Sequence, residues 1–60
     1  MKDDTKRWID EIASSIYYLF DYEPWLSYKA IKNEVQGYYN CSCSDYKRAY
    51  KIANRKYETN

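Results

Sequence analysis

The sequence predicts an all-α domain, a small three-helix bundle, on three observations. Apolar residues recur at helical spacing in three successive segments. The single proline and single glycine of the 60 residues, Pro24 and Gly37, punctuate those segments. No stretch sustains the alternation of a half-buried strand, and turn residues for hairpins are too few. Helices are expected over about 4–22, 27–37 and 43–57, within a single domain spanning 1–60.

The first segment runs from Asp3 to Tyr22. At about 100° per residue, Trp8, Ile9, Ile12, Ala13, Ile16, Leu19 and Phe20 fall on one face, and Asp10, Glu11, Ser14, Ser15, Tyr18 and Asp21 on the other. Asp3, Asp4 or Thr5 is expected to cap its start. Glu23-Pro24 ends it, because a residue before proline avoids helical geometry. The second segment opens at Ser27, a good N-cap, with Leu26 and Ile31 spaced as a hydrophobic staple. Its inner face collects Tyr28, Ile31, Val35, Tyr38 and Tyr39, and Lys29, Lys32, Asn33 and Gln36 share the other. Gly37 is expected to stop it in the left-handed conformation. The third segment starts near Ser42 or Ser44, where Ser42 and Asp45 are spaced as a capping box. Tyr46, Ala49, Tyr50, Ala53 and Tyr57 line its apolar face, bordered by Ile52. Lys47, Arg48, Lys51, Asn54 and Arg55 lie opposite. Met1, Lys2 and residues 58–60 are expected to fray.

A chain of this length buries only about 60% of its unfolded surface. Its aliphatic supply is thin: five Ile, two Leu and one Val. Twelve aromatics, nine of them Tyr, must fill the difference, and nine is more than so small a core holds. Several tyrosines are therefore expected at the surface. The net charge of +1 conceals an asymmetry. Met1 to Leu26 carries three basic and six acidic residues, and Cys41 to Tyr57 five basic and one acidic. Such a division hints at an anionic partner for the basic end, and is equally compatible with the two ends attracting one another.

Histidine is absent, which removes the usual general base and the commonest neutral metal ligand. One glycine excludes a glycine-rich phosphate loop. The carboxylates Asp3, Asp4, Asp10 and Glu11 fall on an exposed face, not in a dry pocket, so no enzyme and no catalytic residue is expected. Cys41 and Cys43 supply only half of a four-ligand zinc site, and no metal or cofactor is expected. The two thiols are expected to be reduced and partly buried at the start of the third helix; a metal or disulfide bridging a dimer is the other reading. No apolar run approaches the length of a membrane span, and the opening "MKDDTKRWID" lacks the apolar core of a signal peptide. A cytoplasmic protein with no membrane partner is the expectation.

Three readings compete for the basic helix. It is a solvated face balancing the acidic first helix; or a DNA-binding face in which cations meet phosphates, Asn54 an adenine edge, and Arg48 or Arg55 a guanine edge; or part of a Tyr- and Arg-rich surface for docking on a protein. Exposed Tyr18, Tyr28 or Tyr39 would suit the third. The segment "LSYKAIKNEVQGYYNCSCSDYKRAYKIANRK" resembles a helix-turn-helix unit: a serine-capped helix with Ile31 and Val35 inward, a polar connection, then a serine-capped basic helix with Ala49 and Ala53 inward. It is also similar to the N-terminal DNA-binding segments of Mutator-like transposases. The resemblance implies that the helix from Cys43 to Tyr57 lies in a major groove. The connection from Gly37 to Ser42 is longer than the motif's tight turn, and no β-wing is expected after Tyr57.

The sequence thus points to a small DNA-binding protein, a phage- or plasmid-type transcriptional regulator or accessory factor. Its expected partner is double-stranded DNA, held by Ser44, Lys47, Arg48, Lys51, Asn54 and Arg55. A lone face with five cations binds weakly, and a homodimer would double the phosphate contacts. The alternative is a protein-binding inhibitor or adaptor, such as a phage protein acting on a host factor through exposed tyrosines.

Overall fold

A computed structural model of the chain describes residues 2–59, with side chains from 4 to 59. Three helices follow one another: α1 Lys2–Tyr22, α2 Tyr28–Tyr39 and α3 Cys43–Thr59. Among the described residues there is no strand, as the periodicity requires. The molecule measures 35 × 26 × 15 Å. Helix axes pack about 8–10 Å apart and Cα atoms lie about 2.3 Å from each axis, so the shortest dimension accommodates only two helices. Each helix therefore keeps a broad solvent face.

The core is correspondingly lean. Ile9, Ile12, Ala13 and Ile16 of α1 meet Ile31 and Val35 of α2 and Tyr46, Ala49 and Ala53 of α3, with Cys41 of the connection beneath them. No polar or charged residue is buried among the described residues. The α1–α3 seam is the most extensive. Ala49 and Ala53 are wholly buried there and Ala13 nearly so, and small side chains let two helix backbones come close. Aromatic rings widen the seam. Phe20 of α1 packs against Tyr50 and Tyr57 of α3, with ring centroids 5.3 and 5.4 Å apart. Tyr28 of α2 joins the same cluster, 5.2 Å from Tyr46 and 4.6 Å from Tyr50. Edge-to-face pairs of this kind contribute about 0.5–1.5 kcal/mol each beyond their buried area.

The α1–α2 turn follows from Pro24. The Glu23 N–H still completes an α-type bond to Leu19, at 2.8 Å, and the Leu26 N–H then bonds back to the Glu23 carbonyl at 3.1 Å. Pro24, which has no N–H to satisfy and a fixed φ, occupies the second position of that turn. Ser27 caps α2 as expected, its Oγ accepting from the Ala30 N–H at 3.2 Å. Leu26 is half-buried against the core that holds Ile31. Ser42 caps α3, accepting from the Asp45 N–H at 3.1 Å.

Four expectations are corrected. Gly37 does not end α2. The helix continues to Tyr39, and Asn40 takes the left-handed conformation at φ 58°, its N–H bonding to the Gln36 carbonyl. The two extra residues bring Tyr39 onto α1, where its ring meets Trp8 at 5.6 Å and its hydroxyl bonds to that of Ser15. Asparagine is the residue after glycine that best tolerates left-handed geometry. The α2–α3 connection is consequently three residues, 40–42, not the long Gly37–Ser42 link. Tyr38 does not share the inner face. It is 85% exposed, the most exposed large hydrophobic side chain among the described residues. Asp3, Asp4 and Thr5 do not precede α1 as caps, because the helix starts at Lys2. Lys2, Glu58 and Thr59 are helical, and the Thr59 hydroxyl lies within bonding distance of the Arg55 and Lys56 carbonyls at 3.1 and 3.0 Å. Met1 and Asn60, also expected to fray, lie outside the described residues.

Gly37 thus sits inside a helix, where glycine costs roughly 0.5–1 kcal/mol relative to alanine. A Cβ at this position would meet nothing within 4 Å, so no internal packing requires the glycine.

Tyr46 ties the three helices together. It is the largest wholly buried side chain, and its hydroxyl donates to the Tyr28 carbonyl at 2.8 Å. Burial, then the neighbouring Tyr28 and Tyr50, push its ionisation above the ordinary tyrosine value near 10. The Tyr46→Phe variant is expected to lose about 1 kcal/mol of stability in denaturant unfolding, the net worth of one hydrogen bond. A raised folded-state value favours the protonated phenol, so its stabilisation is complete below about pH 10 and is lost as pH rises further. Unfolding measured from pH 8 to 12 should show the native chain weakening at the alkaline end, and Tyr46→Phe weakening less.

Candidate functional site

The basic face of α3 is set by where its apolar face goes. Tyr46, Ala49 and Ala53 are drawn into the core, and a helix turns about 100° per residue. Lys47, Lys51 and Arg55, at successive i, i+4 positions, therefore form a row on the far side. Arg48 flanks the row on one edge and Asn54 on the other, and Ser44 continues it toward the N-terminus. All six of these residues are exposed. Lys47 to Arg55 spans about 12 Å along the axis. Among the described residues no ion pair engages Lys47, Arg48, Lys51 or Arg55. The acids of α1 thus do not neutralise this row. Stacked like charges at i, i+4 disfavour an isolated helix by about 0.2–0.5 kcal/mol per pair, so the row does not stabilise its own helix.

The face holds four cations, not the five expected from composition. Lys56 projects to the other flank of α3, lining a small cleft with Ala13, Ser14 and Tyr17 of α1. Glu58 falls near the azimuth of the row one turn after Arg55 and tempers the charge at that end.

The connection before α3 is held by residues that composition alone left unremarked. The Gln36 side-chain amide donates to the Cys41 carbonyl at 3.2 Å and to the Cys43 thiol at 3.6 Å. It clamps α2, the turn and the first residue of α3 together. Gln36 was legible only as a polar-face residue; its reach to Cys41, five residues on, depends on the chain reversing at Asn40. Both cysteines are free thiols, Cys41 buried and Cys43 exposed. Burial pushes the Cys41 thiol up. Hydrogen bonds from Gln36 and then Lys32, together with the charge of Lys32, draw the Cys43 thiol down. Among the described residues no cluster of three metal-ligating side chains forms.

A second surface lies between α1 and α2. An open groove of about 850 Å³ has Leu19 and Val35 at its base and Tyr18, Tyr38 and Tyr39 as walls. Tyr18 stacks on Tyr22 at 4.2 Å, and Tyr38 meets Tyr39 edge-on at 5.2 Å. The sequence singled out Tyr18, Tyr28 and Tyr39 for such a role. Tyr18 and Tyr28 are exposed, at 56% and 44%. Tyr39 is half-buried and engaged with Trp8 and Ser15, and Tyr38 takes the outward position instead. Among the described residues no helix is long and apolar enough to cross a membrane.

The thiol contrast has a direct readout. With a thiol reagent at neutral pH and mass-spectrometric detection, Cys43 is expected to be modified well before Cys41, at a pH below that of an ordinary thiol near 8.5. Gln36→Ala should slow that modification by returning the thiol toward ordinary behaviour.

Compared with protein-family models, with curated proteins and with solved structures, the chain matches none.

Proposed function

We propose that this chain binds double-stranded DNA through the outer face of α3, as a small regulator or accessory factor of phage or plasmid type acting in the cytoplasm. One observation carries the reading: four cations in register on an exposed helical face, none of them engaged by an ion pair among the described residues. An α-helix with its side chains is about 10–12 Å across and a major groove about 12 Å wide. With α3 in the groove, Lys47, Lys51 and Arg55 meet phosphates. Arg48 and Asn54, on the edges of the row, are of the types that read guanine and adenine edges. Ser44 and the free amides of the first turn of α3 hold the backbone phosphate nearest the helix start. The three-residue connection and the serine caps of α2 and α3 suit a helix-turn-helix arrangement, whose turn is typically three or four residues.

The second reading, a protein-binding inhibitor or adaptor, rests on Tyr38 and the groove beside it. It needs no basic face, and so leaves the arrangement of Lys47, Arg48, Lys51 and Arg55 without a role.

Titration of labelled duplex at several salt concentrations tests the DNA reading. Neutralising three phosphates, through Lys47, Lys51 and Arg55, gives a slope of log affinity against log salt of about −2.7 per chain. Replacing Lys51 and Arg55 together by Ala should leave helicity unchanged and reduce the slope to about one third. Absence of binding at low salt would remove this function, and loss of helicity in the double variant would assign the two residues to the fold.

A further inference from the structure

We infer that the groove between α1 and α2 is the interface of a two-fold homodimer, in which Tyr38 of each copy enters the groove of the other across Gly37. This goes beyond the DNA reading and stands independently of it.

Knob and socket lie side by side on one chain. Tyr38 projects from α2 at 85% exposure, and the groove it borders is walled by Tyr18 and floored by Leu19 and Val35. A two-fold axis through α2 sets each Tyr38 against the other copy's groove, the self-complementary arrangement of an isologous pair. Gly37 lies on the same edge. Its missing Cβ serves no contact within the chain, because the space is open. In the pair it serves the close approach of two α2 backbones.

Charge and area agree. Of the ten residues lining the groove only Glu34 is charged, so two copies meet there with little repulsion. The cations of α3 take no part. Phe20 and Tyr17 contact α3 from one side of α1, and Ser14, Ser15 and Tyr18 face the groove from another. Two basic faces are thereby kept apart and free. Tyr18, Tyr22 and Tyr38 are 56%, 62% and 85% exposed. At about 200 Å² per tyrosine they leave about 400 Å² of aromatic surface open, roughly half of what each partner contributes to a standard interface. A 60-residue chain only two helices thick is also the kind that gains most from association.

Sedimentation of the native chain over a wide concentration range, with reductant present to prevent bridging through Cys43, tests the inference. The expected result is a particle of twice 7.4 kDa that dissociates on dilution. Tyr38→Ser and Gly37→Lys, both at exposed positions, should each weaken association about tenfold or more while the helical circular dichroism of the monomer persists. Tyr18→Ser supplies a third variant should either alter the fold. A native chain of 7.4 kDa at every concentration overturns the proposal and leaves the groove to a different partner. So does a dimer that all the folded variants leave equally tight. DNA titration separates the two readings: a dimer that ignores duplex removes only the DNA function, and a native monomer that binds duplex removes only the dimer.

Discussion

The close approach of α1 and α3 is the constraint on which the rest of the molecule depends. Ala49 and Ala53 of α3 and Ala13 of α1 are buried with almost no exposed surface. Larger side chains there would push the helices apart and open the seam that Phe20, Tyr50 and Tyr57 close. The same contact fixes the rotation of α3 about its axis. With the alanines inward, Lys47, Lys51 and Arg55 have only one direction to point. The orientation of the basic face is thus a consequence of small-residue packing, not of any interaction the cations make.

A fold two helices thick cannot hide its aromatics, and the distribution of tyrosines reflects that. Tyr46 is buried whole with its hydroxyl donated to a backbone carbonyl. Burial of a phenol without a partner would cost more than the ring gains at its polar end. Tyr50 and Tyr39 lie half in, their rings against neighbours. Tyr18, Tyr22 and Tyr38 lie out. Aromatic rings replace the aliphatic side chains the sequence lacks, and the surplus becomes surface with an apolar body and a polar tip. The two surfaces divide the chemistry between them: a cationic face on α3 and an aromatic groove between α1 and α2 in which Glu34 is the one charged lining residue.

Between these surfaces, the turn at Asn40 is the point of control. The left-handed residue there reverses the chain, Gln36 bridges across the reversal, and Ser42 starts α3. Because Gln36 touches both Cys41 and Cys43, the connection is held from α2 and its geometry is not left to three residues alone. That bracing ties the turn to α2 and to the first residue of α3.

The sequence by itself determined three helices, their amphipathic faces, the Ser27 and Ser42 caps, and the burial of Ile9, Ile12, Ile16, Ile31, Val35, Ala49 and Ala53. These follow from interactions within a turn or two of chain, where spacing and geometry are rigidly linked. It also placed Lys47, Arg48, Lys51, Asn54 and Arg55 on one face, since that face is the complement of the buried one. Tertiary structure alone decided that α2 runs through Gly37 to Tyr39, and that Tyr38 turns out while Tyr39 turns in. In each case a residue near the edge of a helical face, or a marginal stop signal, was settled by a partner distant in sequence. Tyr39 gains Trp8 and Ser15, contacts that outweigh the cost of glycine in a helix. Periodicity gives the direction of a helix's apolar face but not the width its neighbours will cover, and in a molecule this thin the residues at the margins are the ones that form its surfaces.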